Sequence, residues 1–431
     1  MHQENPELAV NEFDIVIVGG GMVGAALAVA LRHSRFRIAL VEGQSAAMLL
    51  GASRTHDSVS GFDPRVSALT AASQTFLANL GVWGDVLDAG ACPYSDMCVW
   101  DGEGTGRIEF SAAELGQLSL GHIVENSATL GALYRKLSET PDVQQFLGAP
   151  ILRVETGAQG QPSVLVLRDG RRLSGRLLVA ADGANSLLRA VFGMATREWD
   201  YNHHAIVATV KTAMPHAHVA RQRFMSTGPL AFLPLSDVAD SNCFSSIVWS
   251  VEPEHAKALM ALSEREFCNV LANAFEHTLG DVVGVSERYS FPLRQRHAKE
   301  YVKPGVVLVG DAAHTIHPLA GQGVNLGLMD VAALADELLK ADRRDVAVND
   351  LVMLHRYQRR RMTANLAMMG IMEGFKRLFA QDDLGLRLLR NTGMRWLNRQ
   401  SFLKNRIVSE AMGLNIRVPK LEQATTALDK Y

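Results

Sequence analysis

The chain has 431 residues, of which 48% are hydrophobic and 20% charged, and it carries a formal net charge of -2. This composition is that of a globular protein with a sizeable core and excludes a disordered chain, while the near-neutral charge argues against a nucleic-acid binder. None of the four cysteines stands in a CxxC pair, which excludes a zinc knuckle and a CxxC redox motif.

The first predicted elements, in residues 13–42, are a strand, a glycine turn, a helix and a second strand. The turn contains GxGxxG at Gly19, Gly21 and Gly24. In such a turn the first glycine allows the bend, the second lets a pyrophosphate approach, and the third lets the helix pack on the strand. Glu42 ends the second strand, where a carboxylate can bind ribose hydroxyls. Because a turn without a ligand leaves Glu42 unexplained, the pattern predicts a dinucleotide site. An acid at this position favours FAD or NAD over NADP.

The following regions are predicted to be a loop, a sheet and a helical segment. Residues 43–62, with scattered Gly, Ser and Asp, predict a loop. Short apolar runs between about 200 and 295, broken by Pro, Asp and Ser, predict an antiparallel sheet, with helical periodicity near Glu264–His277. Beyond Gly323 the pattern predicts a largely helical chain.

Two acidic motifs stand at the ends of predicted strands. Asp182-Gly183 follows the strand Leu177–Ala180, and taken alone such a pair is usually only a turn. Asp311 follows the apolar strand Val306–Val309, at the edge where a doubly wound sheet presents its ligand. This position predicts that Asp311 binds a polyol hydroxyl, such as one on the ribityl chain of FAD.

A glycine-rich segment leads from Asp311 into the helical region. Its glycines let the backbone approach a flat ring, and N–H groups at the helix N-terminus would lie near the N1–C2 region of a flavin. Their partial positive charge would favour anionic reduced flavin by about 1 kcal/mol. The residues singled out are Pro318, Gly321, Gln322, Gly323 and Asn325.

In this order, GxGxxG, Asp-Gly, Gly-Asp and PxxGQGxN, the motifs resemble those of the single-component flavin aromatic hydroxylases. Four further segments are similar to the ubiquinone-biosynthesis branch of that family, and most similar to its bacterial 2-octaprenylphenol hydroxylases. These segments are Asp63–Leu69, Gly121–Asn126, Trp199–His204 and Gly310–Pro318. The resemblance spans roughly residues 12 to 414.

The resemblance implies a bound FAD and a set of residues that hold it. The glycines of GxGxxG and Glu42 would hold the ADP half, Arg65 would lie near the pyrophosphate or ribityl, and Asn126 would touch the ribityl chain. Asp182 and Gly183 would line the cleft, and the residues after Pro318 would flank the isoalloxazine. The implied set is Gly19, Gly21, Gly24, Glu42, Arg65, Asn126, Asp182, Gly183, Asp311, Pro318, Gly321, Gln322, Gly323 and Asn325.

The implied fold class is α/β. It combines a doubly wound, Rossmann-like FAD-binding domain of the para-hydroxybenzoate-hydroxylase type with an inserted antiparallel-sheet substrate domain and a helical C-terminal region. The FAD-binding domain is expected in residues 1–75, 127–195 and 296–340. The substrate-binding domain is expected in residues 76–126 and 196–295, and the helical region in residues 341–431.

The resemblance also implies the chemistry. NAD(P)H would reduce FAD, O₂ would add at flavin C4a, and the hydroperoxide would hydroxylate the ring of a polyprenylphenol, 2-octaprenylphenol. No second GxGxxG is present, since Gly102–Gly106 lacks the spacing, so NAD(P)H is expected to bind only transiently. One alternative substrate is 2-octaprenyl-3-methyl-6-methoxy-1,4-benzoquinol of the same pathway. Alternatives of another class are a flavoprotein reductase and a non-catalytic scaffold subunit.

Four histidines near the motifs invite a catalytic or metal role. His314 and His317 have i, i+3 spacing without an acidic or Cys partner in the motif, so no metal site is predicted and a structural or pocket-lining role is favoured. His203 and His204 are adjacent in a predicted strand, so at most one faces a pocket. No catalytic base is assigned.

The C-terminal segment is strongly basic. His355–Glu410 contains twelve Arg or Lys and four Asp or Glu, a net charge of +8. The simpler interpretation is a solvated helix packed on the core. The alternative is a surface for anionic lipid or an acidic partner, consistent with peripheral contact with the inner membrane and with a multi-enzyme ubiquinone-biosynthesis assembly. Because no apolar run approaches the roughly 18 residues of a span, and the first residues are unlike a signal peptide, we expect a cytoplasmic protein.

Overall fold

The structure is a computed structural model that describes residues 10–50, 54–158, 161–315, 323–380, 391–394 and 400–413, and positions 396, 398 and 418. The strands, in chain order, are β1 (Val10–Val18), β2 (Ile38–Val41), β3 (Val66–Leu69), β4 (Cys92–Tyr94), β5 (Asp96–Asp101), β6 (Arg107–Ser111), β7 (Gly121–Glu125), β8 (Val143–Phe146), β9 (Ile151–Glu155), β10 (Ser163–Leu167), β11 (Arg172–Ala180), β12 (Thr196–Thr212), β13 (Val219–Met225), β14 (Gly228–Leu235), β15 (Phe244–Val251), β16 (Val282–Val285), β17 (Tyr289–Ala298), β18 (Val302–Lys303), β19 (Val306–Leu308) and β20 (His314–Thr315). The helices are α1 (Met22–Leu31), α2 (Ala46–Leu50), α3 (Ala71–Leu80), α4 (Trp83–Asp88), α5 (Asn126–Ser138), α6 (Leu187–Val191), α7 (Pro253–Ala261), α8 (Glu264–Ala274), α9 (Gly323–Arg343), α10 (Leu351–Ala380) and α11 (Ser401–Ala411).

The first of the sheets has eight strands and is mainly parallel. Its order is β18-β19-β11-β1-β2-β8, with β10 beside β11 and β9 beside β10. The pairs β1–β11, β1–β2, β2–β8 and β11–β19 are parallel. The central strand residues Ile15–Val18 and the helix α1 are almost wholly buried, as expected for a parallel sheet covered by helices. The strand, turn, helix and strand predicted for residues 13–42 are confirmed.

The second sheet has nine strands. Its order is β20-β17-β12-β15-β14-β13-β5-β6, with β16 beside β12, and β13–β5 is the parallel pair in it. Helices α7 and α8 cover one face, where Ile206, Ile247 and Phe267 share a core. The antiparallel sheet predicted between about 200 and 295 and the helix predicted near Glu264–His277 are therefore confirmed. The face that α7 and α8 leave uncovered is called the inner face below.

A three-stranded sheet, β3-β7-β4, packs against one end of the inner face. Phe62, Ile123, Leu233 and Phe244 meet in the core between them. The doubly wound α/β fold with an inserted sheet and a helical C-terminal region is confirmed.

The prediction of an irregular loop over residues 43–62 was wrong in part. Residues Ala46–Leu50 form α2, and Val59–Gly61 form a turn of 3₁₀ helix. None of the residues of α2 is fully buried, but Leu49 and Leu50 are half-buried against the core of the eight-stranded sheet, and Ala, Met and Leu favour a helix locally. A five-residue helix is too short to show helical periodicity in the sequence, so it was not predicted.

Candidate cofactor site and its neighbouring sheet face

Of the three GxGxxG glycines after β1, two are needed by the protein itself and one faces open space. Gly19 has φ +105°, and a Cβ there would lie 2.3 Å from the Ala181 carbonyl oxygen. A Cβ on Gly24 would lie 1.9 Å from the Gly19 carbonyl oxygen. A Cβ on Gly21 would meet no atom within 4 Å in the part of the chain that the structure describes. Gly19 and Gly24 thus bring β1, α1 and β11 together, whereas Gly21 leaves a space at the helix N-terminus that a phosphate could enter.

Glu42 lies beside this turn, at the end of β2. Its carboxylate accepts hydrogen bonds from the backbone N–H groups of Gly20, at 2.7 Å, and Gln44, at 2.8 Å. The hydroxyl of Tyr134, on α5, donates to the Gly20 carbonyl oxygen at 3.0 Å. The half-buried carboxylate is therefore fixed above the turn, where a ribose would follow the phosphates.

Asp182 has one oxygen committed to the protein and one without a partner. Its Oδ2 accepts from the N–H groups of Leu187, at 2.7 Å, and Leu188, at 3.3 Å. Its Oδ1 is buried and has no hydrogen-bond partner among the described residues. Burial raises the pKa of this carboxyl. Next to it, Gly183 has φ +80°, and a Cβ there would lie more than 4 Å from every other described residue, so the Asp-Gly turn borders an open cleft.

Asp311 lines the same cleft from the third segment. Its side chain is exposed to solvent, yet the surrounding protein desolvates it enough to raise the pKa of its carboxyl. A group that is reachable by water while protein surrounds it lies in a cleft and not on a convex surface. Buried Arg189 joins this turn to the Asp-Gly turn, since its guanidinium donates to the carbonyl oxygens of Ala312, at 2.9 Å, and Ala184, at 2.6 Å.

Arg65 and Asn126 lie next to each other across β3 and β7. The backbone N–H of Asn126 donates to the Arg65 carbonyl oxygen at 3.0 Å, and its side chain accepts from the Ser67 hydroxyl at 2.7 Å. The Arg65 side chain is exposed. Glu125, the last residue of β7, connects this corner to His56, because one of its carboxylate oxygens lies 2.5 Å from His56 Nε2.

The last motif is only partly within the described residues. Gly323 begins α9, and a Cβ there would meet none of the described residues within 4 Å. Asn325 is buried: it accepts from the Thr70 N–H at 3.0 Å and donates to the Ala68 carbonyl oxygen at 2.7 Å, so its amide ties α9 to β3. The other residues of this motif that were assigned to the cofactor lie outside the described residues, as does His317; they are Pro318, Gly321 and Gln322.

These features fit the chemistry of FAD. A helix N-terminus beside Gly21 suits a pyrophosphate, the carboxylate of Glu42 suits a ribose, and Asp182 and Asp311 offer acceptors for polyol hydroxyls along one cleft. The unpartnered oxygen of Asp182 in particular requires a donor that the described protein does not supply.

The inner face of the nine-stranded sheet adjoins this cleft. Strand β20, which follows the Asp311 turn, pairs with β17 at Arg296 and His297. On the inner face Val207 pairs with Val248, and both are only half-buried. This part of the sheet is an apolar surface that opens to solvent beside the candidate cofactor cleft.

Four further side chains complete that surface. Val248 packs with Tyr201 and Leu293, and Phe291, two residues along β17, is 45% exposed. The hydroxyl of Ser246, two residues from Val248 on the same face, is buried and has no hydrogen-bond partner among the described residues. The face thus combines apolar contact area with one orphaned hydroxyl.

Three of the histidines considered for a catalytic or metal role, His203, His204 and His314, contact side chains of the protein. His203 Nδ1 lies 3.2 Å from the Ser250 hydroxyl and His204 Nδ1 lies 3.1 Å from that of Ser290, on opposite faces of β12 as predicted. His314 is buried, with Nε2 2.5 Å from Asp330. Among the described residues no group of three or more His, Cys, Asp or Glu side chains is arranged to hold a metal ion.

The basic character of the C-terminal segment is partly neutralised inside the protein. Arg356 and Arg360 pair with Glu337 and Asp336 on α9, and Arg361 is buried against Asp330. Three of the charges counted in the sequence therefore stabilise helix packing. Within the described ranges, no helix combines the length and apolar character that crossing a bilayer requires.

Sequence reasoning missed the residues that connect the segments of the site. Arg189, Glu125 and Asp330 are buried and charged, and each bonds to a segment distant in sequence. The signal that could have identified Arg189 and Asp330 is a charged residue within an otherwise apolar, helix-forming stretch, since buried charges are almost always paired.

The chain matches the family described as an FAD binding domain over residues 12–369. It is 37% identical to the 3-demethoxyubiquinol 3-hydroxylase of Escherichia coli (strain K12), over 93% of this chain and 98% of that protein. It is 35% identical to the mitochondrial ubiquinone biosynthesis monooxygenase COQ6 of Xenopus tropicalis, over 93% of each chain. The crystal structure of p-nitrophenol 4-monooxygenase PnpA from Pseudomonas putida DLL-E4 is similar with a TM-score of 0.74 at 19% identity, covering 95% of this chain and 100% of that one, a likeness of fold alone.

Proposed function

Since the chain belongs to the FAD binding domain family and is an FAD-dependent monooxygenase, we propose that it hydroxylates the aromatic ring of a polyprenylphenol, 2-octaprenylphenol. Its coarser role, that of an aromatic hydroxylase of ubiquinone biosynthesis, follows from relatives that match nearly the whole chain. The family resemblance inferred from the motifs is confirmed, and FAD is the cofactor. The substrate, the residues that bind FAD and the reductant are parts of the proposal.

Bound FAD supplies the redox chemistry with O₂, and the chain binds, orients and shields the reactants. In the proposed arrangement NAD(P)H is a transient reductant, because the sequence offers a single dinucleotide motif. Pro318, Gly321 and Gln322, beyond the described residues, remain assigned to the isoalloxazine by resemblance. The described residues proposed to bind FAD are Gly19, Gly21, Gly24, Glu42, Arg65, Asn126, Asp182, Gly183, Asp311, Gly323 and Asn325.

The observation that carries the substrate proposal is the half-open apolar inner face next to the Asp311 turn. Val207, Val248 and Phe291 offer the contact area that a phenol ring with a prenyl tail would bury. The orphaned Ser246 hydroxyl supplies a hydrogen bond for a ring oxygen, which would orient the ring.

One observation favours a second substrate of the same pathway. The Escherichia coli relative is named for 3-demethoxyubiquinol, a quinol that lacks one methoxy group of ubiquinol. This corresponds to the alternative of a 2-octaprenyl-3-methyl-6-methoxy-1,4-benzoquinol hydroxylase. Both substrates present an oxygenated ring and an apolar tail, so the same inner face suits either.

Quinone-intermediate profiling of cells that lack the protein separates the two. Accumulation of the polyprenylphenol supports the first proposal, accumulation of the methoxylated benzoquinol replaces it with the second, and an unchanged profile overturns both. A reductase or scaffold role predicts no phenol-dependent O₂ consumption by the purified protein with NAD(P)H, whereas a hydroxylase shows it.

Substitutions on the inner face test the binding surface itself. Val248→Trp would fill the apolar space and raise KM for the phenol at least about tenfold, which corresponds to about 1.4 kcal/mol of lost contact, with FAD affinity unchanged. The matched control is Val283→Trp on β16, where the valine is 60% exposed and no effect on KM is expected. Equal effects of both variants would contradict the placement of the substrate.

Within the basic C-terminal segment, the proposed membrane contact rests on α11, the last described helix. In α11, Phe402 is 82% exposed and Leu403 is 38% exposed, while Lys404 is buried in an ion pair with Glu114. We propose that this helix lies against the membrane from which a prenylated substrate is drawn, within a multi-enzyme assembly. Co-sedimentation with anionic vesicles should fall for Phe402→Ser; undiminished binding would refute the contact.

A further inference from the structure

A single buried carboxylate lies beneath the turn that carries Asp311. Asp330, on α9, is fully buried. Its Oδ2 accepts from the backbone N–H of Gly310 at 3.1 Å and lies 2.5 Å from His314 Nε2. Gly310 and His314 are the residues at the two ends of the turn that presents Asp311. One carboxylate oxygen therefore fixes both ends of that turn.

The other oxygen of Asp330 is held from the C-terminal helix α10. Its Oδ1 accepts from Arg361 Nε at 2.7 Å and from Asn365 Nδ2 at 3.2 Å. The guanidinium of Arg361 also donates to the Asn365 side chain at 2.8 Å. Arg361 is itself buried, so its charge has Asp330 as a close counter-charge and little screening by water.

We propose that Asp330 is a positioning residue for Asp311, and that Arg361 of the C-terminal helix holds Asp330 in place, so that the affinity for FAD depends on an ionic link between α9 and α10. The inference rests on the proposed role of Asp311 in binding the ribityl chain. The electrostatics agree with it: although burial acts in the opposite direction, the charges of His314 and Arg361 lower the pKa of Asp330 to about 2. The carboxylate thus stays charged throughout the physiological range.

Asp330→Asn tests the link with little change of shape. An amide keeps one acceptor but places N–H donors against the donors of the turn or of Arg361, so the turn loses an anchor. We expect the affinity of the deflavinated full-length protein for FAD to fall about 30-fold, in an equilibrium fluorescence titration. The matched control is Glu337→Gln, which breaks another ion pair between α9 and α10, that of Glu337 with Arg356 at 2.9 Å, without touching the turn. Its FAD affinity should stay within about twofold of wild type.

A double-mutant cycle with Asp311→Asn distinguishes positioning from general stabilisation. If Asp330 acts through Asp311, the double variant binds FAD about as weakly as the weaker single variant. If the two losses multiply, or if Glu337→Gln weakens FAD binding as much as Asp330→Asn, the positioning role is overturned. If Asp330→Asn does not fold, His314→Leu in the same cycle replaces it, because leucine has no donor for Asp330 and so removes the His314 end of the anchor, while the Asp330–Arg361 pair stays in place.

The same cycle separates this inference from the proposed function. Wild-type FAD affinity in Asp311→Asn would refute the ribityl role, and the positioning role with it. A large loss in Asp311→Asn with no loss in Asp330→Asn would leave the ribityl role standing and overturn the positioning role alone.

Discussion

Substituting Gly21 by alanine should separate cofactor binding from folding. Gly21 has φ -65° and ψ -179°, which any residue adopts, and an added Cβ meets no atom of the described ranges within 4 Å. Alanine is a poorer helix N-cap than glycine, which lowers the free energy of unfolding by about 0.5–1 kcal/mol. Alanine also reduces the entropy of the unfolded chain, which raises the free energy of unfolding by a similar amount. The free energy of unfolding without FAD should therefore change by less than about 0.5 kcal/mol. A methyl in this space would keep a pyrophosphate from its N–H donors, and two lost charge-assisted bonds of about 1.5 kcal/mol each weaken FAD binding about 100-fold.

The neighbouring glycine provides the contrast. At Gly24 a Cβ would lie 1.9 Å from the Gly19 carbonyl oxygen, so α1 must move by more than 1 Å, at about 3 kcal/mol of stability with or without FAD. Urea unfolding of the deflavinated protein and FAD titration measure both quantities for both variants. Gly84→Ala in α4, where a Cβ also meets open space, controls for the glycine-to-alanine change itself. Wild-type FAD affinity in Gly21→Ala would refute the phosphate site at this turn.

Three other predictions concern charged residues around the cleft. Asp311→Asn should leave the unfolding free energy of the FAD-free protein equal or slightly higher, because desolvation raises the pKa of that carboxyl, while FAD affinity falls about 10- to 100-fold in titration; unchanged affinity contradicts it. Arg189→Met, which removes the guanidinium from the carbonyls of Ala312 and Ala184, should cost about 3 kcal/mol in urea unfolding, against no change for the exposed Arg197→Met. The hydrogen bond to Glu125 raises the pKa of His56, so the pair stabilises the fold fully below pH about 6.5 and loses that contribution as the pH rises through the raised pKa. The stability gap between wild type and His56→Gln, about 1 kcal/mol in acid, should shrink by pH 9, and a gap independent of pH would refute the charged pair.

The parts of the site that were predictable from the sequence are those carried by local backbone requirements. Gly19 needs a positive φ and a close approach, and Asp311 follows an apolar strand, so residue type and spacing suffice to place them. The residues that connect the segments of the site were not predictable, because Arg189 bonds to a residue 123 positions away and Glu125 to one 69 positions away. Likewise the +8 charge of the C-terminal segment did not reveal that Arg361 is buried, since charge counting does not distinguish a solvated arginine from a paired one.

Cofactor binding and folding depend on each other, because buried charged residues connect the turns of the cleft. The candidate cleft is built from chain segments far apart in sequence, and Arg189, Glu125 and Asp330 each join a ligand-facing turn to another element. A ligand that contacts all of these turns binds only the assembled arrangement, so it stabilises the folded state by about RT ln(1 + [FAD]/Kd), about 2.7 kcal/mol at a hundredfold excess over Kd. A substitution of one of these connecting residues lowers both the stabilisation by FAD and the stability of the FAD-free protein. A substitution such as Gly21→Ala lowers the stabilisation by FAD alone. The melting-temperature gain on adding FAD, measured across both kinds of variant, therefore distinguishes residues that shape the cleft from residues that touch the cofactor.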